Sequence, residues 1–327
     1  MTPTDNYYSD VLSATTMAEC YTADPSLSSL SFSPEDADTD DSFVLASTPA
    51  ELLMDHPQEE SGGSKISDET LRRYNLAACI LHSIQGVAIL FASQFVDNIK
   101  DFSKEITTSF LVYDEESKSL VTRTKNTGWK VEVGLTAAVF LLMSAFAHFW
   151  VLMTFERYLK GLNRGINKAR WYEYALSSSV MILAIAVLFG CYDLGTLVLI
   201  VFLNASMNLF GLLMELLNPP DRAGPVDWTP FWCGCWAGAG AWVIVFMYFL
   251  GGGNFDQVPG FVYGIFGGYL FFFNTFPVNM ALQYAKYGRW SDYRYGELGY
   301  IVLSLASKTL LAWLVFGGTN QPDGDDE

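Results

Sequence analysis

The chain has 327 residues and a formal net charge of -16, yet 51% of its residues are hydrophobic and 15% are aromatic. This combination requires that apolar and charged residues be segregated along the chain. Stretches such as VMILAIAVLFG and WVIVFMYFL carry no polar stripe at helical spacing, which excludes a large soluble helical protein.

The first segment, residues 1–70, is acidic and polar. It contains 15 Asp and Glu, a single base at Lys65, and no apolar run of 18 residues. Such a composition buries too little surface to offset chain entropy, so we expect a disordered tail. Its first residues, MTPTDNYYSD, also lack the basic and apolar regions of a signal peptide, and we expect the tail to stay in the cytoplasm.

Seven long apolar stretches follow the tail, each near the roughly 20 residues that cross about 30 Å of hydrocarbon. We expect membrane spans at 74–96, 131–155, 167–190, 194–217, 228–250, 259–285 and 293–316. The predicted fold is an all-α bundle of seven transmembrane helices that forms one membrane domain, residues 71–318. A short acidic external tail, 319–327, ends the chain.

The connection after the first span, 97–130, differs from the other loops. The runs EITTSFLVY and SLVTRT are rich in β-branched residues and are separated by the polar segment DEESK. This pattern predicts an external β-hairpin between the first two helices.

Basic residues near the ends of the spans indicate the orientation, because Lys and Arg are retained on the cytoplasmic side. The side that holds the N-terminus has 12 of them, Arg170 included, whereas the opposite side has 6, all in or beside the loop 97–130. We therefore expect a cytoplasmic N-terminus and an extracellular C-terminus.

The five cysteines predict no metal site. Cys233 and Cys235 form the closest pair, and no second pair or histidine cluster accompanies them.

Two ionisable side chains lie deep in the spans, Glu173 in RWYEYALSSSVMI and Lys308 in SLASKTLLAWLVF. A charge near the bilayer centre costs roughly 2.5–3.5 kcal/mol on insertion scales, so each needs a partner. Because the lysine side chain points back toward the start of its helix, the two groups are expected to meet at similar depth. Ser177 and Ser304 each lie one turn from one of these charges. The charges alone fit a structural salt bridge or a transporter pair equally well, and an aromatic stripe on span 6 is more often packing than a cofactor pocket.

With NTFPVNMALQY on span 6, these strings resemble the heliorhodopsin family across about residues 72–318. Ordinary microbial and animal rhodopsins share the lysine of the last span, but neither the RWxEY string nor the inverted topology. The chain departs from the family in its long acidic tail and at Ala175, where many members have Ser. The first departure leaves any partner open, and the second could alter colour or photocycle modestly.

The resemblance implies a rhodopsin-like bundle that holds all-trans retinal as a Schiff base on Lys308, with Glu173 as the counterion that keeps it protonated. Further cofactor-binding residues implied by it are Ser177, Ser304, His82, His148, Gln85, Asn204, Met207, Phe273 and Phe276. It also implies a homodimer, for which Gly260, Gly264 and Gly268 offer a ridge of small residues, although such a ridge packs equally well within one chain.

The distribution of polar groups favours a sensor over a pump or an enzyme. His82, His148 and Glu173 all lie roughly 10–12 Å from the inner ends of their spans at the helical rise, and form one polar layer. The outer halves of spans 3, 5 and 7 contain no carboxylate, since Glu132 and Asp193 lie at the boundary. A pump needs ionisable groups on both sides of the switching proton.

We therefore expect a light receptor with a slow photocycle and no ion pumping. It would sit in the lipid bilayer and act on an unknown cytoplasmic signalling partner, with no nucleic-acid partner. Light-gated proton conduction, as in some viral members of the family, is the alternative, and Glu215 and Glu297 are its candidate residues. A retinal-free receptor or transporter remains open if Lys308 is unmodified.

Overall fold

The structure is a computed structural model that describes residues 64–96, 103–251 and 260–319. Seven of its helices are long and apolar enough to span a membrane, which confirms the predicted fold class. In chain order these are α1 (Asp68–Phe95), α2 (Val133–Met153), α4 (Lys168–Leu188), α5 (Leu194–Leu217), α6 (Thr229–Gly251), α7 (Gly260–Tyr284) and α8 (Tyr293–Thr319). A short helix, α3 (Phe155–Asn163), and a 3-10 turn, Gly288–Ser291, lie between them.

Polar side chains fix where three of the helices begin. Ser67 accepts a hydrogen bond from the amide of Thr70 at the start of α1, and Asn167 and Asp193 cap α4 and α5 in the same way. Each cap satisfies one of the amides that the first turn of a helix leaves without a partner. These capping hydrogen bonds identify the first residues of the three helices without reference to hydropathy.

The helix bounds follow the predicted spans closely, with one clear difference. The fourth span is the helix Leu194–Leu217 as predicted, whereas α1 begins at Asp68, six residues before the expected start at 74. Most of the predicted tail lies outside the described residues, as do 320–327. Its last residues are ordered against α8, since the Ser64 hydroxyl donates to Asp292 at 2.6 Å.

The hairpin predicted in the loop after the first span is present. Strand β1 (Ser103–Asp114) pairs antiparallel with β2 (Ser119–Glu132), in a register that aligns Asp114 with Ser119. Hydrogen bonds from the Ser117 side chain and amide, together with Arg123, hold the pKa of Asp114 below its usual range.

The base of the hairpin is attached to the bundle. The amide of Thr107 donates to the carbonyl of Tyr192 at 2.9 Å, and Ile106 is buried in the same core as Val133. The hairpin therefore lies at the end of the bundle where α4 passes into α5, opposite the end where α1 begins.

The packing of the helices separates a lipid-facing surface from a tight interior. Large apolar side chains stay exposed on the spans, as Phe146, Phe202 and Trp236 do, which is expected where lipid replaces water. The interior core includes Phe140, Ile182 and small residues such as Ala137. Helices α4 and α5 approach each other closely at Gly211. A β-carbon at this position would overlap the indole ring of Trp171.

Candidate functional site

The centre of the site is an ion pair between the third and the last membrane helix. Lys308 on α8 donates from Nζ to Oε1 of Glu173 on α4 at 2.6 Å, and the two side chains are 3% and 11% exposed. The pair that the sequence predicts is therefore brought into direct contact. Because a buried pair of this kind is stabilised only when its remaining hydrogen bonds are made, its neighbours matter.

Ser144 on α2 completes the pair and was missed by the sequence analysis. Lys308 Nζ donates to Ser144 Oγ at 2.5 Å, and this hydroxyl lies 2.7 Å from Glu173 Oε1. Side chains from three helices, α2, α4 and α8, therefore meet at the Lys308 nitrogen. A serine in an apolar helix carries no signal of its own, but Ser144 lies four residues before His148 and shares its helix face.

The two serines that the sequence predicts, Ser177 and Ser304, lie close to the pair. Ser177 is fully buried one turn after Glu173, and its hydroxyl makes no hydrogen bond of standard geometry to any described residue. Ser304 is buried one turn before Lys308 and lines a cavity there.

The two interior histidines, which the depth argument places at one level, are adjacent in the structure. The rings of His82 and His148 are stacked, with centroids 5.9 Å apart and planes inclined by 18°. His148 Nδ1 lies 2.8 Å from the side-chain oxygen of Asn75, whereas neither ring nitrogen of His82 has a partner among the described residues. Asn75 donates in turn to the Leu71 carbonyl, so its oxygen is free to accept from the imidazole.

Gln85 and Asn204 hydrogen-bond to residues that lie beside the site. Thr309, next to Lys308, donates to the Gln85 side chain at 3.1 Å and so ties α1 to α8. Asn204 is buried and donates to the hydroxyls of Ser178 and Ser179 at 2.7 and 3.1 Å. Neither Gln85 nor Asn204 lines the cavity described next. The polar residues that line it near Asn204 are Ser178 and Asn208.

Lys308 lines an apolar cavity of about 290 Å³. This volume is near the lower end of the roughly 300–1,000 Å³ usual for ligand sites. Of the predicted residues, Met207, Phe273, Phe276, Ser304 and Lys308 line it. The sequence analysis missed much of its aromatic wall, which includes Trp171, Tyr174, Phe231, Trp242 and Tyr300.

The form of this cavity fits retinal. It presents one amine at the end of a space walled by aromatic and aliphatic side chains, as a long apolar aldehyde requires. Gly238 lets Met207 reach the cavity, because a β-carbon at Gly238 would lie 2.5 Å from the sulfur. The rings of Tyr174 and Phe276 meet edge to face, with centroids 5.4 Å apart, and give this part of the wall a fixed shape.

A second group of buried charges lies at the inner ends of the helices. Arg170 on α4 forms ion pairs with Glu215 on α5 and with Glu297 on α8, and all three side chains are at most 5% exposed. The sequence analysis counted only two ionisable groups deep in the spans and took Arg170 as a loop base. That interpretation was wrong, because interhelical packing buries these three residues as well.

A second cavity, of about 450 Å³, is lined by residues from both groups of charges. Its lining includes Glu173, His148, Arg170 and Glu297. The described residues contain no cluster of three or more His, Cys, Asp or Glu that could hold a metal ion.

Seven membrane-spanning helices around a buried amine define an integral multi-pass membrane protein with a ligand cavity inside its bundle. The chain belongs to the heliorhodopsin family, whose model matches residues 71–320. It is therefore a rhodopsin that binds retinal and senses light. The chain matches no curated protein.

Proposed function

We propose that this protein is a photosensor that binds all-trans retinal covalently through Lys308, with Glu173 as counterion and without net ion transport. The observation that supports this most directly is the 2.6 Å contact between Lys308 Nζ and Glu173 Oε1 at the end of an apolar cavity. Joined to Lys308 as a Schiff base, retinal supplies absorption of visible light and isomerisation.

The residues of the chain control the proton at the Lys308 nitrogen. A nitrogen buried among apolar side chains loses its proton unless an opposite charge adjoins it, and Glu173 supplies that charge. Ser144 fixes the geometry, since its hydroxyl contacts both partners. The aromatic wall keeps water from the nitrogen on the cavity side.

We propose that the N-terminus lies in the cytoplasm and the hairpin outside. This rests on the 12 bases at the N-terminal side against 6 at the other. His82, His148, Glu173, Ser177 and Ser304 then belong to the cytoplasmic half. The domain assignment, with an acidic cytoplasmic tail 1–70, a membrane domain 71–318 and an external tail 319–327, follows from the same orientation.

The absence of pumping follows from an asymmetry between the two halves of the described spans. On the hairpin side of Lys308, the described parts of the seven membrane helices contain no Asp, Glu, Lys, Arg or His. A proton leaving the Lys308 nitrogen therefore has acceptors only on the inner side and returns from there. Changes in helix packing around the inner charges carry the signal to a cytoplasmic partner.

One observation favours light-gated proton conduction as the second candidate. Glu173 and Glu297 both line the larger cavity, so a second carboxylate shares a space with the counterion on the inner side. Conduction also requires a path through the apolar outer half. The sensor is therefore the function that the geometry supports best.

An electrical measurement separates the sensor from both alternatives. We expect no photocurrent when the protein is expressed in a voltage-clamped cell and illuminated at its absorption maximum, whatever the voltage and pH gradient. A sustained current at zero voltage and zero gradient would establish a pump. A current that reverses with the proton gradient would establish conduction, and neutralising Glu215 and Glu297 would then test its path.

We also propose a homodimer, on family membership and on part of the glycine ridge of α7. A β-carbon at Gly260 or Gly264 would meet no described atom, whereas one at Gly268 would lie 3.1 Å from Leu310 of the same chain. The first two glycines are thus open to a second copy. Crosslinking and native mass measurement in mild detergent should show dimers, and monomers alone would contradict the proposal.

A further inference from the structure

The larger cavity connects the central ion pair to the inner ionic cluster by a short route. Arg170 and Glu173 are three residues apart on α4, a spacing that brings side chains together on one helix face, with about 5–6 Å between their β-carbons. Both line the cavity, as do His148 and Glu297. A proton that leaves Glu173 into this cavity therefore enters a space that a second carboxylate, Glu297, also lines.

The inner cluster holds one more negative charge than positive. Arg170 is its single cation, and Glu215 and Glu297 are its two carboxylates. Uncompensated charge is costly where water is excluded, so the cluster gains from binding one proton. The Arg170 Nε atom is buried and has no partner among the described residues, which leaves a donor for an ordered water in the cavity.

The two carboxylates are not equivalent. Glu297 lines the cavity and accepts from Tyr158 and Asn167 at 3.1 and 2.9 Å. Glu215 is absent from the described cavity lining and accepts from the Asn167 amide and the Tyr293 hydroxyl, both at 2.8 Å. Only Glu297 therefore shares a space with Glu173.

Tyr158 is a donor to Glu297 and not a competing acceptor. Burial, together with the Glu297 carboxylate, raises the pKa of Tyr158 well above its ordinary value. The phenol therefore keeps its proton throughout the physiological range. Its hydrogen bond holds the Glu297 carboxylate in place at the cavity wall.

We propose that Glu297 is the group that holds the proton displaced from Lys308 by light, a role that rests on the photosensor function proposed above. The proton leaves Lys308 Nζ, passes Glu173 and crosses the cavity to an oxygen of Glu297. Lys308 Nζ becomes neutral, the Glu297 carboxylate becomes a carboxylic acid, and the net charge of the protein is unchanged. The return of the same proton restores both groups.

Light-induced difference infrared spectra of the retinal-bound protein test this directly. As the Lys308 nitrogen loses its proton, we expect the carbonyl stretch of a protonated carboxylic acid to appear, with a shift in heavy water. The band should be lost in Glu297→Gln, which keeps hydrogen bonds to Tyr158 and Asn167. It should persist in Glu215→Gln, with a shorter lifetime, because the inner cluster without the Glu215 charge carries no excess negative charge.

The retinal-free protein provides a second readout. At low pH, the infrared difference between the wild type and Glu297→Gln should contain a carboxylic acid band, because the other carboxyl groups are common to both proteins and cancel. Persistence of the light-induced band in Glu297→Gln would overturn the proposal, as would deprotonation of the Lys308 nitrogen in the wild type without any light-induced carboxylic acid band. A protein with no visible band at all would contradict the photosensor function itself, so the two failures are distinguishable.

Discussion

Replacing Lys308 with Ala should abolish all visible absorption while leaving the protein folded. The Lys308 amine lies where the apolar cavity ends, and no other lysine lies within the described membrane helices beyond their first turn. Without this amine, retinal has no nitrogen with which to form a Schiff base in the bundle. The measurement is a visible spectrum after incubation with all-trans retinal, beside a thermal unfolding curve.

The stability of this variant follows from what remains around Glu173. Removing one partner of a buried ion pair costs about 3–5 kcal/mol when the other stays charged. Glu173 avoids this cost by binding a proton, since Ser144 still supplies a hydrogen-bond partner. Lys308→Arg is the matched control, because it keeps a cation beside Glu173 and forms no Schiff base. A visible band in either variant would place the attachment elsewhere.

Replacing Glu173 with Gln should change the spectrum without removing retinal. The amide keeps the size of the side chain but removes the charge that holds a proton on the Lys308 nitrogen. We therefore expect the visible band to shift, and to give way to a near-ultraviolet band at a pH where the wild type keeps its colour. Spectra recorded across a pH series measure both effects.

Two serines serve as controls for this effect. Ser144→Ala removes a hydroxyl that contacts both charges, whereas Ser177→Ala removes a hydroxyl that bonds to neither. The Ser144 variant should shift the band more than the Ser177 variant does. A Glu173→Gln spectrum identical to the wild type at every pH would assign the counterion role to another group.

The central ion pair was predictable because an unpaired charge inside a membrane is so costly. Lys308 and Glu173 could be paired from depth alone, since both helices run in the same direction. The same reasoning placed His82 and His148 at one level but did not predict that their rings stack. The hairpin was predictable because β-branched runs on either side of a polar turn are typical of a β-hairpin.

What the sequence did not predict depends on how each helix is rotated and where neighbouring helices meet. Nothing in the sequence distinguishes Ser144 from other serines in apolar helices. Only the packing of the helices places it against Lys308. The burial of Arg170 depends on two carboxylates from separate helices reaching it at the same level. Gln85 and Asn204 were implied by the family resemblance alone; in the structure they hydrogen-bond to Thr309 and Ser178, and Ser178 lines the cavity.

The most direct test of the account is to locate retinal on the chain. The protein is incubated with all-trans retinal, the Schiff base is reduced with borohydride, and the peptides are analysed by mass spectrometry. We expect a retinyl group on the peptide that contains Lys308 and on no other peptide. An adduct at a different lysine, or a visible pigment that leaves no adduct after reduction, would contradict the proposal that Lys308 carries the chromophore.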